Sequence, residues 1–181
     1  MGYKHDENEI LKAAVDAVLD GGLSNLSFGH LAKRLGIADR SIVYYFPTKA
    51  DLVTRTLHSF GETLQAMLDA AFGDQRLAPN ELVRRAWPTL ASPEADPVFA
   101  VFFELVGLGA ASIKPFDALA PVVMRSWIDW LIPRIDAPDP ETARTMAYAT
   151  VALLDGLLLV RHTCGPTAAD SAARLLLTWG T

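Results

Sequence analysis

At 181 residues, the chain fits one compact unit, or a small unit joined to a larger one, at ~150 residues per domain, and excludes two large domains. Apolar residues make up 51% and charged residues 20%, which supplies a buried core and excludes a disordered chain. Sixteen Lys and Arg against 21 Asp and Glu leave a net charge of −5, so bulk charge excludes coating of nucleic acid, and only a local basic patch can serve that purpose.

Met1 to Asp6 are polar and carry no apolar signal core, which predicts neither export nor a lipid anchor. The single cysteine, Cys164, allows no internal disulfide or thiolate cluster, so a reducing, cytoplasmic compartment is expected. The most apolar run, Val151 to Val160, contains Asp155 and falls short of the ~20 residues a membrane crossing needs, so a soluble protein with no membrane partner is expected. Apolar spacing is helical nearly throughout, and no period-two run bounded by hairpin signals occurs. The predicted class is all-α, with about nine helices.

The first predicted helix carries Ile10, Leu11, Ala14, Val15, Val18 and Leu19 on one face and stops at Gly21-Gly22. Ser27 caps a short second helix with Leu31, Ala32 and Leu35, which Gly36 ends. Residues 39–45 form a third, closed by Phe46-Pro47. Thr48-Lys49-Ala50-Asp51 then places an acceptor at a cap and an acid three residues on, a start signal for a long fourth helix to Gly73. Pro79 opens a helix around Trp87, and Asp96-Pro97 opens another. Pro115 and Pro121 begin a segment running to Pro133, and Asp139-Pro140 opens a long helix to Thr163, stopped by Cys164-Gly165-Pro166. Thr167 to Asp170 caps the last.

Charge is unevenly placed. Residues 1–60 hold seven basic and seven acidic side chains, whereas 61–181 hold nine and fourteen, so the whole deficit lies in the second part. Between Lys33 and Lys49 stand four basic residues and one acid. That local excess falls where the helices are shortest. Two short helices around a Gly-containing turn, with polar residues opening the second, form the signature of a helix-turn-helix. Leu31, Leu35, Ile37 and Ile42 would hold it together, leaving Arg40, Ser41 and Tyr44 facing a major groove. Arg40 suits guanine O6 and N7, because its planar fork donates twice. Tyr44, Tyr45, Lys49 and the start of the fourth helix suit phosphate oxygens. Ser27, Lys33, Asp39 and Thr48 complete the candidate DNA-binding set. The competing reading takes Lys33-Arg34 as a solvated face and Tyr44-Tyr45-Phe46 as packing.

The string from Leu26 to Leu52, ending Tyr45-Phe46-Pro47-Thr48-Lys49 before Leu52, resembles the TetR-type transcriptional regulators, with the likeness extending over residues 10–52. The resemblance implies a helix-turn-helix domain over 1–50 and a helical ligand-binding and dimerisation domain over 51–181. It implies a homodimer whose residues 39–45 address the two halves of a palindromic DNA operator, and a small hydrophobic effector that releases it, most simply as a repressor. Two positions depart from the family pattern: Ala38 stands where a hydroxyl usually caps the recognition helix, and Val43 where a tyrosine usually stands. Asp39 would repel phosphate unless it accepts from a cytosine amine.

In the second part, Phe99, Phe102, Phe103 and Val106 share one side of a helix apolar nearly all round, which is the pattern of a core helix. With Phe60, Leu64, Met67, Trp87, Met124, Trp127 and Trp130, the resemblance implies that they line an effector cavity. Glu104 stands among the phenylalanines, where it can receive a cationic group, lie in solvent or pair with an arginine. The last two helices offer small and leucine-rich faces through Thr150, Leu154, Leu157, Leu158 and Arg161 and through Ala172, Leu175, Leu176 and Trp179. They suit either a two-fold four-helix interface or closure of the monomer core. The four histidines, at 5, 30, 58 and 162, are scattered, and no HExxH, GxSxG, P-loop or GxGxxG string occurs. Neither enzyme activity, metal nor cofactor is expected. The alternative is a helical small-molecule- or partner-binding protein whose helix-turn-helix is not used.

Overall fold

A computed structural model describes residues 6–178; His5 and Trp179, named above, lie outside them. The described residues form nine α-helices and one 3₁₀ turn: α1 (Glu7–Gly21), α2 (Phe28–Leu35), α3 (Asp39–Tyr45), α4 (Lys49–Phe72), α5 (Pro79–Leu90), α6 (Asp96–Ala110), α7 (Phe116–Leu131), the turn Ile132–Arg134, α8 (Pro140–Cys164) and α9 (Pro166–Leu176). The chain divides into two compact units. The first comprises 1–63 and 100–120, the second 64–99 and 121–181.

The helix ends follow local chemistry. Asp6 and Glu9 form a capping box at α1, with the Glu9 amide donating to Asp6 Oδ1 at 2.8 Å. Ser27 Oγ accepts from the His30 amide at the head of α2, and Gly36, at φ 67°, takes the left-handed conformation that ends it. Thr48 and Asp51 cap α4 reciprocally, the Thr48 amide donating to Asp51 Oδ2 at 3.0 Å and the Asp51 amide to Thr48 Oγ1 at 3.1 Å. Two expected boundaries differ. Pro121 lies inside α7, which starts at Phe116. The last helix starts at Pro166 behind Gly165, with no side-chain cap, because proline's fixed φ already suits a first helical turn. Thr167 is therefore a helical residue and not a cap.

In the first unit, Ile10, Ala14 and Val18 of α1 meet Leu31 of α2, Ile42 of α3 and Phe46, all at 0% exposure. Burying each large side chain contributes ~1.5–3 kcal/mol, which is what holds helices as short as α2 and α3. The α6–α7 corner is close: a Cβ added at Gly109 would lie 2.8 Å from Ala120 Cβ and 3.0 Å from the Phe116 carbonyl oxygen.

In the second unit, α8 packs on α5, α9 and the 3₁₀ turn. Ala143, Ala147, Ala169 and Ala173 are buried and allow that close approach. Trp87 donates its indole N–H to Asp170 Oδ1 at 2.9 Å, tying α5 to α9. Arg161 reaches Asp96 at the head of α6 through two bonds, Nε to Oδ1 at 2.6 Å and Nη2 to Oδ2 at 2.9 Å. By length and composition α8 could cross a membrane, its apolar character extending beyond the run at Val151–Val160; it packs on three other elements of the second unit and leaves one side exposed.

Candidate nucleic-acid interface

Helix α3 is seven residues long and turns Ile42, at 0% exposure, into the first unit's core. Asp39, Arg40, Ser41 and Tyr44 remain on the open side, Tyr44 at 77% exposure, with Tyr45 half-buried beneath it. The two tyrosine rings meet edge to face at 5.0 Å. Val43 is exposed as well, at 40%.

The basic patch is narrower than the residue count implies. Arg34 is committed to Asp20 of α1 at 2.8 Å, and Arg55 pairs with Glu7 and lies over the Phe46 ring. Lys33, Arg40 and Lys49 are exposed and have no ion pair among the described residues. Those three cations, on α2, α3 and the first residue of α4, keep their charge for an outside partner.

The hydroxyl candidates are spent unequally. Thr48 both accepts from the Asp51 amide and donates its O–H to Asp51 Oδ2 at 2.7 Å, so its hydroxyl is occupied in the cap. Ser27 accepts from the His30 amide at 3.2 Å and keeps its own O–H to donate. Ala38 is the cap residue of α3 and supplies no side-chain bond. Asp39 is exposed but approaches α2, its Oδ2 lying 3.7 Å from where a side chain on Gly29 would begin.

One side chain of the first unit has a role not foreseen in its sequence surroundings. Glu104 pairs with no arginine: Oε2 accepts from the Leu23 amide at 2.7 Å, and Oε1 from the Ser24 amide at 2.9 Å and the Ser24 hydroxyl at 2.6 Å. Burial raises its pKa, but these bonds outweigh that and hold the carboxyl below its ordinary range. The partners lie about 80 residues away in sequence, and no local pattern marks them.

The candidate effector-lining residues divide between the units. In the first, Phe60, Phe102 and Phe103 are half-buried and Val106 is exposed at 39%, with the Phe102 and Phe103 rings 5.5 Å apart. In the second, Leu64, Trp87 and Phe99 are buried and Met67 is 51% exposed. Met124, Trp127 and Trp130 are half-buried. Trp127 meets Trp130 edge to face at 5.4 Å, and Phe72 lies 5.9 Å from Trp130, whose other neighbour is the Arg134 guanidinium at 4.0 Å.

The candidate interface residues of α8 and α9 also divide. Thr150, Leu157, Leu158 and Arg161 are buried inside the second unit, Thr150 bonding the Met146 carbonyl and Arg161 bonding Asp96. They face the second unit's own core. Leu154, Ala172 and Leu176 are half-buried. The outward apolar surface belongs instead to Tyr148 at 53%, Leu159 at 50% and Leu175 at 54% exposure. Tyr148, Ala152, Asp155 and Leu159 recur at four, three and four residues and so share one helix face. Their signal was present in the sequence, on the side of α8 opposite the alanines.

Comparison with known proteins agrees with this geometry. Residues 10–56 match the family model described as bacterial regulatory proteins, tetR family. No curated protein matches the chain in sequence. A TetR transcriptional regulator from Legionella pneumophila is 21% identical, with 99% of each chain covered and a TM-score of 0.66. A transcriptional regulator from Rhodococcus sp. Rha1 is 20% identical, covering 97% of this chain and 95% of that one, with a TM-score of 0.73. The multidrug binding protein EbrR, solved with imidazole, is 27% identical over 98% of this chain and 92% of its own, with a TM-score of 0.68; it has also been solved with proflavin.

Proposed function

We propose that the chain is a ligand-responsive transcriptional regulator of the TetR type, a repressor that grips a palindromic operator as a homodimer; the family match over residues 10–56 and the likeness to solved regulators along nearly the whole chain support this. Residues 1–50 then serve as the DNA-binding domain and 51–181 as the regulatory one. The observation that carries this reading is the open side of α3: Arg40, Ser41 and Tyr44 stand out on a buried scaffold, between unpaired Lys33 and Lys49. Arg40 reads a base edge, Ser41 adds a short polar contact, and Tyr44, Lys33 and Lys49 bind phosphate. Ser27 donates its free O–H to the backbone, and Thr48 and Tyr45 position their neighbours.

The dimer forms through the outward face of α8, at Tyr148, Ala152 and Leu159, with Leu175 of α9. Exposed large apolar residues clustered on two adjacent helices support it. The effector is a small hydrophobic molecule that meets the aromatic surface of α7 around Met124, Trp127 and Trp130. EbrR's complex with proflavin, a planar aromatic molecule, supports trying that chemistry first. Neither enzymatic turnover nor a membrane is part of this function.

A pull-down of duplex fragments from the native genome, run with wild type, Arg40→Ala and Lys49→Ala, tests it. Wild type should recover one palindrome, Arg40→Ala should lose its sequence preference, and Lys49→Ala should bind all sequences more weakly and with a shallower salt dependence. Recovery of no fragment even in dilute buffer would favour a helical small-molecule- or partner-binding protein with an unused helix-turn-helix, a reading that uncapped Ala38 supports.

A further inference from the structure

Within α2 and α3 the exposed large apolar side chains are Val43 at 40% and Tyr44 at 77%, and only the tyrosine carries a hydroxyl. A single exposed valine needs no explanation by itself; its position does. At about 100° per residue, Arg40 and Tyr44 lie nearly opposite buried Ile42, and Val43 lies beside Arg40, away from Ser41. Exposed Asp39 stands one turn before Val43 on that same flank. The other flank carries Ser41 and Tyr45.

This division of chemistry orients the helix. A carboxylate repels phosphate, and a valine has no donor to offer it. The flank of Asp39 and Val43 therefore suits base edges, while the hydroxyls of the opposite flank suit the backbone. In the major groove the one methyl group that base pairs expose is the C5 methyl of thymine. Against a carbonyl, ring nitrogen or amine, Val43 would displace water and give no bond in return. A helical valine also keeps essentially one rotamer, so its two methyls are already placed and contact costs them little freedom.

Resting on the operator reading above, we propose that Val43 is a specificity-determining residue: in each half-site it selects a thymine through the base's methyl group, beside the guanine that Arg40 reads. Three residues at ~1.5 Å rise put the two side chains ~4.5 Å apart along α3, close to the ~3.4 Å between stacked base pairs. The thymine and the guanine thus occupy adjoining pairs. Cytosine in place of the thymine fails twice, since it lacks the methyl and brings an amine to the same edge.

The test uses the duplex recovered by wild type, with each thymine replaced by deoxyuridine at symmetric positions of the two half-sites. That exchange removes the methyl and keeps the base pairing. At one position wild type should bind about fourfold more weakly per half-site, the effect of one buried methyl, and about fifteenfold for the pair. Val43→Ala, an exposed helical substitution that leaves the fold intact, should bind the thymine duplex as weakly as wild type binds the uracil one. It should lose little more on the uracil duplex, as a contact between the two groups requires. Substitution by 7-deazaguanine, which lacks the N7 acceptor, should weaken wild type but not Arg40→Ala at the pair next to that thymine.

Affinity within 1.5-fold of the original at every uracil position would overturn the assignment. So would an equal uracil penalty in wild type and Val43→Ala, since the methyl would then act through duplex shape, or a sensitive thymine that no Arg40-read guanine adjoins. Wild type that holds no duplex would overturn the operator reading itself, whereas tight binding blind to thymine methyls would leave that reading standing and remove only the role of Val43.

Discussion

Asp155 sits in the most apolar stretch of the chain, on the outward side of α8 between Ala152 and Leu159. Burial without a compensating bond pushes its carboxyl up to about 6 from an ordinary 3.8. Replacing it with Asn removes the charge while keeping size and shape. At ~1.4 kcal/mol for each tenfold change in proton affinity, the shift bounds the penalty of holding the charged form at ~3 kcal/mol. The side chain keeps some contact with water, so we expect about 1–2 kcal/mol. The sign follows from proton uptake: between pH 4 and 6 the folded state binds more protons than the unfolded one, so stability falls as pH rises through that window and stays low above it. Asp155→Asn should therefore stabilise at pH 7 and have little effect at pH 4, measured as the midpoint and slope of urea unfolding at both pH values. An equal effect at the two pH values, or destabilisation at pH 7, would refute the reasoning.

Arg161→Ala strips the partner from Asp96 and should cost about 2–4 kcal/mol at pH 7, below the upper end for buried pairs because the Asp96 side chain is 40% exposed. Its bond to Arg161 holds the Asp96 carboxyl below the ordinary range, so the contribution is present at neutral pH and is lost as pH falls below about 4, which acid titration of wild type and variant would show. Gly109→Ala forces a methyl to within 2.8 Å of Ala120 Cβ and 3.0 Å of the Phe116 carbonyl oxygen, and thermal melting should show a loss of ~1–3 kcal/mol from overpacking. Trp87→Phe deletes the indole donor to Asp170 and should cost ~1–2 kcal/mol in the same assay.

Much of this architecture was legible because helix ends are decided locally. Ser27 starts α2 and Gly36 ends it, Thr48 with Asp51 starts α4, and Asp139 before Pro140 starts α8, each a signal confined to a few residues. The open side of α3 was equally readable, since Ile42 inward leaves Arg40, Ser41 and Tyr44 outward. What periodicity withholds is which neighbour covers a face. Thr150, Leu157 and Leu158 are as apolar or small as an interface requires, yet they are covered by helices of the same chain. The pairings of Arg161 with Asp96, Trp87 with Asp170 and Glu104 with Leu23 join residues 65, 83 and 81 positions apart. Each rests on tertiary placement that no short window encodes.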